Sequence, residues 1–188
     1  CLRQTNLVCP SLPENLLLKY VSYYIMKCYH FNNAIFYRTG GEGMTTLYLI
    51  RHAEAEGNLY RRIHGQYNSL ITDNGYRQIA ALRDRFADVP IDAVYSSDLF
   101  RTMTTARALF VPKGLPLVTR PDLREISMGQ WEDYSWAGID RREHARMALF
   151  SATSPDFRAP GGESFPEIRV RGCKAILDIA AQHPDQTV

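Results

Sequence analysis

"TTLYLIRHAEAEGN", residues Thr45 to Asn58, joins a short apolar run directly to an arginine and a histidine. The run from Leu47 to Ile50 shows no polar alternation, which predicts a β-strand that is buried on both faces. Such a strand carries Arg51 and His52 to the edge of a buried sheet. Because polar groups are costly to bury without partners, this placement calls for an explanation.

Two further segments predict strands that alternate with helices along the chain. They are "IDAVYSS", residues 91–97, and "LPLVTR", residues 115–120, and segments with helical periodicity separate and follow them. This alternation predicts an α/β fold, a three-layer sandwich with a mainly parallel central sheet. In such sheets ligands bind beyond the carboxyl ends of the strands.

The predicted helices have recognisable starting residues. Thr72 is a predicted N-cap, and Ser97 or Asp98 has the same predicted role one helix later. A weaker pattern indicates a helix around residues 136–150. "SFPE", starting at Ser164, has the form of a capping box that opens a last helix.

Three predicted strand ends carry polar residues that suit phosphate chemistry. Arg51 and His52 follow the first strand, Arg101 follows the second, and Glu125 follows the third. Guanidinium groups match phosphate oxygens and stay charged at ordinary pH, and they hold down the pKa of a neighbouring imidazole. A neutral His52 is a nucleophile that forms a phosphohistidine, and Glu125 is the general acid and base. Asn58 is a further hydrogen-bond donor to the phosphoryl oxygens.

Each of these residues also has a purely structural interpretation. A histidine at a strand end is more often structural, and an arginine at a helix start, like Arg101, usually forms a surface ion pair. Taken alone, Glu125 is interpreted as a solvated carboxylate, and Asn58 is interpreted as a turn residue. Their common position at successive strand ends favours the functional interpretation.

Five motifs in this order resemble the histidine phosphatase superfamily, the phosphoglycerate-mutase-like proteins. They are "LYLIRHAEAEGN", "IHGQYNSLITDNGYRQIAAL", "DAVYSSDLFRTMTTA", "LREISMGQWED" and "PGGESF". The resemblance implies that His52 is the phosphorylated nucleophile and Glu125 the proton donor. It also implies roles for five other residues: Arg51, Arg101 and Asn58 in phosphate binding, and Arg62 and Gln66 in a loop that borders the substrate.

The resemblance implies a metal-independent phosphatase that acts on a small phosphorylated metabolite and needs no cofactor. The alternatives are a phosphoglycerate-mutase-type phosphoryl transfer and a catalytically silent member that binds a phosphorylated ligand or a partner protein. Dedicated mutases tend to place tryptophan where this chain has Gln66, and they carry a longer insert before the "GGES" loop, so the phosphatase is favoured. Substrate identity and oligomeric state are not predicted.

The chain departs from the family pattern at two places. Ala53 stands where the family usually has glycine, which adds a methyl group near the expected phosphate. The family also carries a pocket histidine on a strand after the last helix, whereas Thr187 and Val188 would only open such a strand. Sequence position excludes the histidines at 64, 144 and 183 as substitutes. We therefore expect residues 44–188 to be a domain that lacks its C-terminal part, with low activity and poor solubility.

Residues 1–43 differ in character from the rest of the chain. They hold five of the eleven tyrosines and a surplus of two positive charges, which accounts for the net charge of +2. We interpret them as an N-terminal extension translated from upstream sequence, with Met44 as the bacterial start; the alternative is a helix that packs on the domain. The balanced charge of residues 44–188 argues against nucleic-acid binding. No stretch fits a membrane span, and the cysteine spacing fits neither zinc nor disulfides, which favours the cytoplasm.

Overall fold

The first sheet is built around the strand predicted from the apolar run before Arg51. In this computed structural model the described residues are 7–8, 33–38 and 44–188. Strand β3 (Met44–Leu49) pairs antiparallel with β2 (Asn33–Arg38), which pairs in parallel with β1 (Leu7–Val8). Most of the predicted N-terminal extension, including the alternative of a helix there, lies outside the described residues.

After β3 the chain alternates between helices and strands, as predicted. The elements are α1 (Glu56–Leu59), α2 (Asp73–Arg85), β4 (Val94–Ser96), α3 (Phe100–Lys113), β5 (Leu117–Thr119), two 3-10 helices (Pro121–Leu123 and Gly129–Trp131), α4 (Trp136–Arg142), α5 (His144–Ser151) and α6 (Phe165–Gln182). Strands β4 and β5 pair in parallel. Within the described part of the chain, no helix is long and apolar enough to cross a membrane.

Strand β3 is covered by helices on both faces, because its successive side chains point in opposite directions. Leu47 is buried against Cys173 and Ile176 of α6. The next residue, Tyr48, packs on the other face, where its ring meets that of Phe86 at 5.1 Å, just after α2. The strand layer therefore lies between two helical layers, which confirms the predicted α/β three-layer sandwich with parallel strand pairing.

Thr187 and Val188, which were predicted to open a strand, form a bridge with β3. Tyr48 N donates to Val188 O at 2.7 Å, and Val188 N donates to Thr46 O at 2.8 Å, in a parallel bridge. On the opposite side, Asp92 N donates to Thr187 O at 2.8 Å. This segment therefore connects β3 with the residues that lead into β4.

Two predicted helix starts are confirmed by their hydrogen bonds. Thr72 Oγ1 accepts from Gly75 N at 3.0 Å and so caps α2. Ser164 and Glu167 form the capping box of α6, in which Ser164 N donates to Glu167 Oε2 at 2.9 Å. Both caps satisfy backbone donors that a first helical turn leaves without partners.

Two other predictions about helices were wrong. Helix α3 has Leu99 as its N-cap, without a side-chain cap. Of the predicted caps, Ser97 bonds to Thr102 through its hydroxyl, and Asp98 pairs with Arg124. The single helix expected around residues 136–150 is divided into α4 and α5 at Glu143, whose φ of −135° and ψ of 46° are not helical.

Candidate active site

The structure brings the three predicted strand ends together at one cavity. Arg51 and His52 follow β3, Arg101 lies in the first turn of α3 after β4, and Glu125 follows the 3-10 helix after β5. All four residues line a cavity of about 620 Å³, which is also bordered by apolar residues of the layers around it. The predicted convergence of these side chains is therefore present in the fold.

His52 is held as a neutral imidazole with one defined tautomer. Its Nδ1 lies 2.7 Å from the carbonyl oxygen of Ala53, which can only accept a hydrogen bond. Nδ1 therefore carries the proton, and the lone pair stays on Nε2. Burial lowers the pKa of His52 to about 3, and the positive charges of Arg101 and Arg51 lower it further. The hydrogen bond to the Ala53 carbonyl acts in the opposite direction and raises this pKa.

Ala53 fits the turn after His52 without strain. Its φ is not among the positive values found in the described residues, so the position does not require glycine. Ala53 N donates to Thr105 Oγ1 at 2.9 Å, and that hydroxyl donates to Arg101 O at 2.7 Å. These bonds connect the turn after His52 to helix α3.

Arg101 is buried, with 1% of its surface exposed. Its Nη1 donates to Tyr67 O at 2.8 Å, and its Nη2 donates to Gly65 O at 2.7 Å and to Glu125 Oε2 at 3.1 Å. Its Nε is buried and has no hydrogen-bond partner among the described residues. The structural interpretation of Arg101 as a surface ion pair is therefore wrong.

Glu125 faces the cavity, where 49% of its side chain is exposed. The surrounding protein atoms nevertheless remove much of the bulk water from the carboxyl group, and this desolvation raises its pKa; Arg101 and Arg51 oppose the rise. A raised pKa favours the protonated form that a general acid needs.

The segment that carries Glu125 is held by Arg171 of α6, which the sequence analysis did not identify. Arg171 Nη1 donates to the carbonyl oxygens of Asp122 and Arg124, both at 2.9 Å. The same guanidinium pairs with Glu163, with an Nη2–Oε2 distance of 2.7 Å. Arg171 and Glu163 therefore fix the backbone directly before Glu125.

The predicted residues in α1 and in the loop after it, Asn58, Arg62 and Gln66, have different positions. Gln66 lies next to the cluster, since its Nε2 donates to Glu125 O at 3.2 Å. Asn58 Oδ1 accepts from Ala55 N at 3.0 Å at the start of α1, and Asn58 is not among the residues that line the cavity. Arg62 pairs with Asp133 at 2.9 Å and lines a separate cavity.

Sequence position was the ground for excluding His64 as a substitute for the second pocket histidine, and this positional argument was wrong, because His64 lies beside His52. Its imidazole is buried, and its ring centroid lies 5.5 Å from that of His52. Burial, followed by the charges of Arg101 and Arg51, lowers the pKa of His64 to about 4. Gly57 makes room for the ring, because an added Cβ there would lie 2.0 Å from His64 Nε2.

The other two histidines lie away from this cluster, as the sequence analysis expected. His144 is exposed and bonds to Asp140 at 2.8 Å, whereas His183 lies 2.9 Å from the hydroxyl of Tyr95. His64 is therefore the histidine of the described chain that accompanies His52. One ligand atom each from His52, His64 and Glu125 lie within 4.8 Å of one another, so these residues could also hold a metal ion.

Comparison with known sequences identifies relatives over the part of the chain that forms this site. The sequence pattern of the histidine phosphatase superfamily (branch 1) matches residues 47–188. The probable phosphoglycerate mutase GpmB of Proteus mirabilis is 40% identical over 145 residues, which are 77% of this chain and 66% of the relative. The corresponding protein of Enterobacter sp. is 37% identical over 136 residues, which are 72% of this chain and 63% of that relative. The chain thus spans just under two thirds of the length of these curated relatives.

Solved structures of similar fold include proteins described as phosphatases. YhfR from Bacillus stearothermophilus matches with a TM-score of 0.72 and 32% identity, over 77% of this chain and 71% of that chain. The alpha-ribazole phosphatase from Shigella flexneri matches with a TM-score of 0.68 and 27% identity, over 75% and 70%. A mycobacterial glucosyl-3-phosphoglycerate phosphatase in complex with VO3 matches with a TM-score of 0.66 and 27% identity, over 73% and 70%.

Proposed function

Because this chain belongs to the histidine phosphatase superfamily, we propose that it is a metal-independent phosphomonoesterase that acts on a small phosphorylated metabolite through a phosphohistidine. The observation that carries the proposal is the state of His52. Its imidazole is neutral, with the lone pair on Nε2, and it lies in one cavity with Arg101 and Glu125. This combination suits a nucleophile that attacks a bound dianion.

In the first step, the Nε2 lone pair of His52 forms a bond to phosphorus while the bond to the ester oxygen breaks. Glu125 in its protonated form gives its proton to the leaving oxygen, which departs as an alcohol. Desolvation raises the pKa of Glu125 and thereby supports this protonation state. Arg51 and Arg101 offset the negative charge of the phosphoryl group.

In the second step, the Glu125 carboxylate accepts a proton from water, and the water oxygen attacks phosphorus. The P–N bond breaks, its electron pair returns to His52 Nε2, and inorganic phosphate leaves. Arg101 supports both steps, since its buried Nε offers a donor that no described residue uses. Asn58, through its amide nitrogen, is a second donor in this proposal.

The solved structures and the sequence relatives favour different reactions. Several matched structures are described as phosphatases, which supports hydrolysis. The curated relatives at 36–40% identity are described as probable phosphoglycerate mutases, and this supports phosphoryl transfer as the second candidate. A catalytically silent member is the third possibility, although the complete set of His52, Arg101 and Glu125 argues against it.

Products formed from 3-phosphoglycerate by the full gene product distinguish these candidates. A phosphatase releases inorganic phosphate and glycerate, whereas a mutase conserves the phosphoester and yields 2-phosphoglycerate. A panel of small phosphate monoesters should show phosphate release that His52→Gln abolishes and that added EDTA leaves unchanged. Turnover that survives His52→Gln, or that EDTA abolishes, would refute the proposal. We place the enzyme in the bacterial cytoplasm, with a small phosphorylated metabolite rather than a nucleic acid or a membrane as its partner.

A further inference from the structure

The cluster of His52, His64 and Glu125 has a donor set that also suits a transition metal. One ligand atom from each residue lies within 4.8 Å of the other two. In tetrahedral zinc sites, metal–ligand bonds of about 2.1 Å separate the ligand atoms by about 3.4 Å. Small side-chain rotations would close the cluster around an ion. We propose that these three residues form a Zn²⁺ site and that zinc bound there inhibits the enzyme.

The two imidazoles are prepared for this role by their surroundings. The Nδ1–H of His52 is fixed by the carbonyl of Ala53, which leaves Nε2 as the ligand atom. Metal-bound histidines typically have their second ring nitrogen fixed in this way. His64 is buried, and its Nε2 has no hydrogen-bond partner among the described residues. Metal binding through this nitrogen would therefore break no existing hydrogen bond.

Glu125 can bind a metal without losing its orienting contact. Its Oε2 accepts from Arg101 Nη2 at 3.1 Å, whereas its Oε1 has no hydrogen bond within the described chain. A carboxylate that binds metal through one oxygen is commonly oriented by a hydrogen bond to the other. The resulting set of two imidazoles and one carboxylate occurs in zinc sites that leave a fourth position open.

The charges around the cluster set the expected behaviour of the bound ion. Arg51 and Arg101 repel a dication, so zinc should bind more weakly than in a dedicated structural site. The same arginines favour an anion as the fourth ligand. Zinc on His52 Nε2 occupies the lone pair that would attack phosphorus, so the occupied enzyme cannot be phosphorylated. This inhibition rests on the proposed function, whereas metal binding itself does not.

Binding of Co²⁺ to the full gene product tests the site directly, because tetrahedral Co²⁺ has strong visible absorption bands. We expect one equivalent of Co²⁺ to bind and Zn²⁺ to displace it. His64→Gln and Glu125→Gln should each weaken binding at least tenfold. His144→Gln removes an exposed histidine outside the cluster and should bind as the wild type does. Absent binding, or unchanged affinity in His64→Gln, would overturn the site.

Inhibition is measured separately from binding. Zn²⁺ should inhibit phosphate release by the wild type and by His144→Gln, and EDTA should restore the activity. Stoichiometric binding of zinc without inhibition would overturn the inhibitory role and leave the site intact. If the enzyme forms no phosphohistidine, Co²⁺ should still bind with the same spectra. The two proposals can therefore fail independently. Unfolding curves of each variant show whether weakened binding reflects a lost ligand or a lost fold.

Discussion

Replacing Arg171 by methionine should destabilise the protein and misplace Glu125, the proposed proton donor. Methionine keeps an apolar stem and removes the guanidinium, which bonds to the carbonyl oxygens of Asp122 and Arg124 and pairs with Glu163. The two carbonyl groups and the carboxylate then lose a charged donor together. The segment before Glu125 loses the contact that connects it to α6.

The size of the effect follows from the exposure of the pair. The side chains of Arg171 and Glu163 are 22% and 24% exposed, so water replaces the lost contacts only in part. Hydrogen bonds to charged groups contribute about 1.5–3 kcal/mol each, and partial exposure reduces their sum. We expect the free energy of unfolding to fall by about 3 kcal/mol. Because a misplacement of about 1 Å can reduce turnover ~100-fold, kcat should fall by a factor of about 10–100 with little change in KM.

Arg158 provides a matched control for this prediction. It pairs with Glu167, and both of these side chains are about half exposed. Exposed ion pairs contribute about 0–1 kcal/mol, so Arg158→Met should change stability by less than 1 kcal/mol and leave kcat unchanged. Urea unfolding and steady-state kinetics of both variants give the comparison. Equal stability losses in the two variants, or an unchanged kcat in Arg171→Met, would refute the reasoning.

Three further predictions concern the cluster itself. Histidine NMR should show His52 uncharged down to at least pH 5, and a titration midpoint near 6.5 would contradict its buried position. Because the pKa of His52 is about 3 in the folded protein and 6.5 in the unfolded chain, the unfolded chain binds more protons between these pH values. The free energy of unfolding should therefore fall as the pH falls through this window. Gly57→Ala should cost about 1–3 kcal/mol in urea unfolding, because the new Cβ collides with His64. Gly114→Ala is the control, because its new Cβ would meet no atom within 4 Å and should add only the backbone strain of a φ of +64°. Identical His64 NMR shifts in the two variants would contradict the collision. Glu125→Gln should lower kcat by about 10²–10⁴-fold at unchanged stability, and wild-type turnover would remove its role as the acid.

Local sequence patterns predicted the order of the elements and the groups at the strand ends. The apolar run before Arg51 and the capping box at Ser164 are both readable over a few residues, and both have the expected structure. The convergence of Arg101 and Glu125 follows from parallel strands, whose carboxyl ends meet at one edge. These features depend on short segments or on a general rule of topology.

Features that depend on long-range contacts could not be predicted in the same way. His64 reaches the site because Gly57 lacks a side chain, and nothing in the sequence pairs these two positions in advance. Arg171 resembles any other charged residue of α6 until the fold brings it to the backbone before Glu125. The end of α4 at Glu143 is equally dependent on context, since that side chain accepts a hydrogen bond from Trp131 Nε1 at 2.9 Å.

The most direct test of the proposed mechanism is the position of a trapped phosphoryl group. The full gene product is incubated with a ³²P-labelled monoester, quenched in alkali, which preserves phosphohistidine, and digested for mass spectrometry. The proposed mechanism places the label on His52, and the label should be lost in His52→Gln. Turnover without any labelled histidine, or a label on His64 in place of His52, would contradict it.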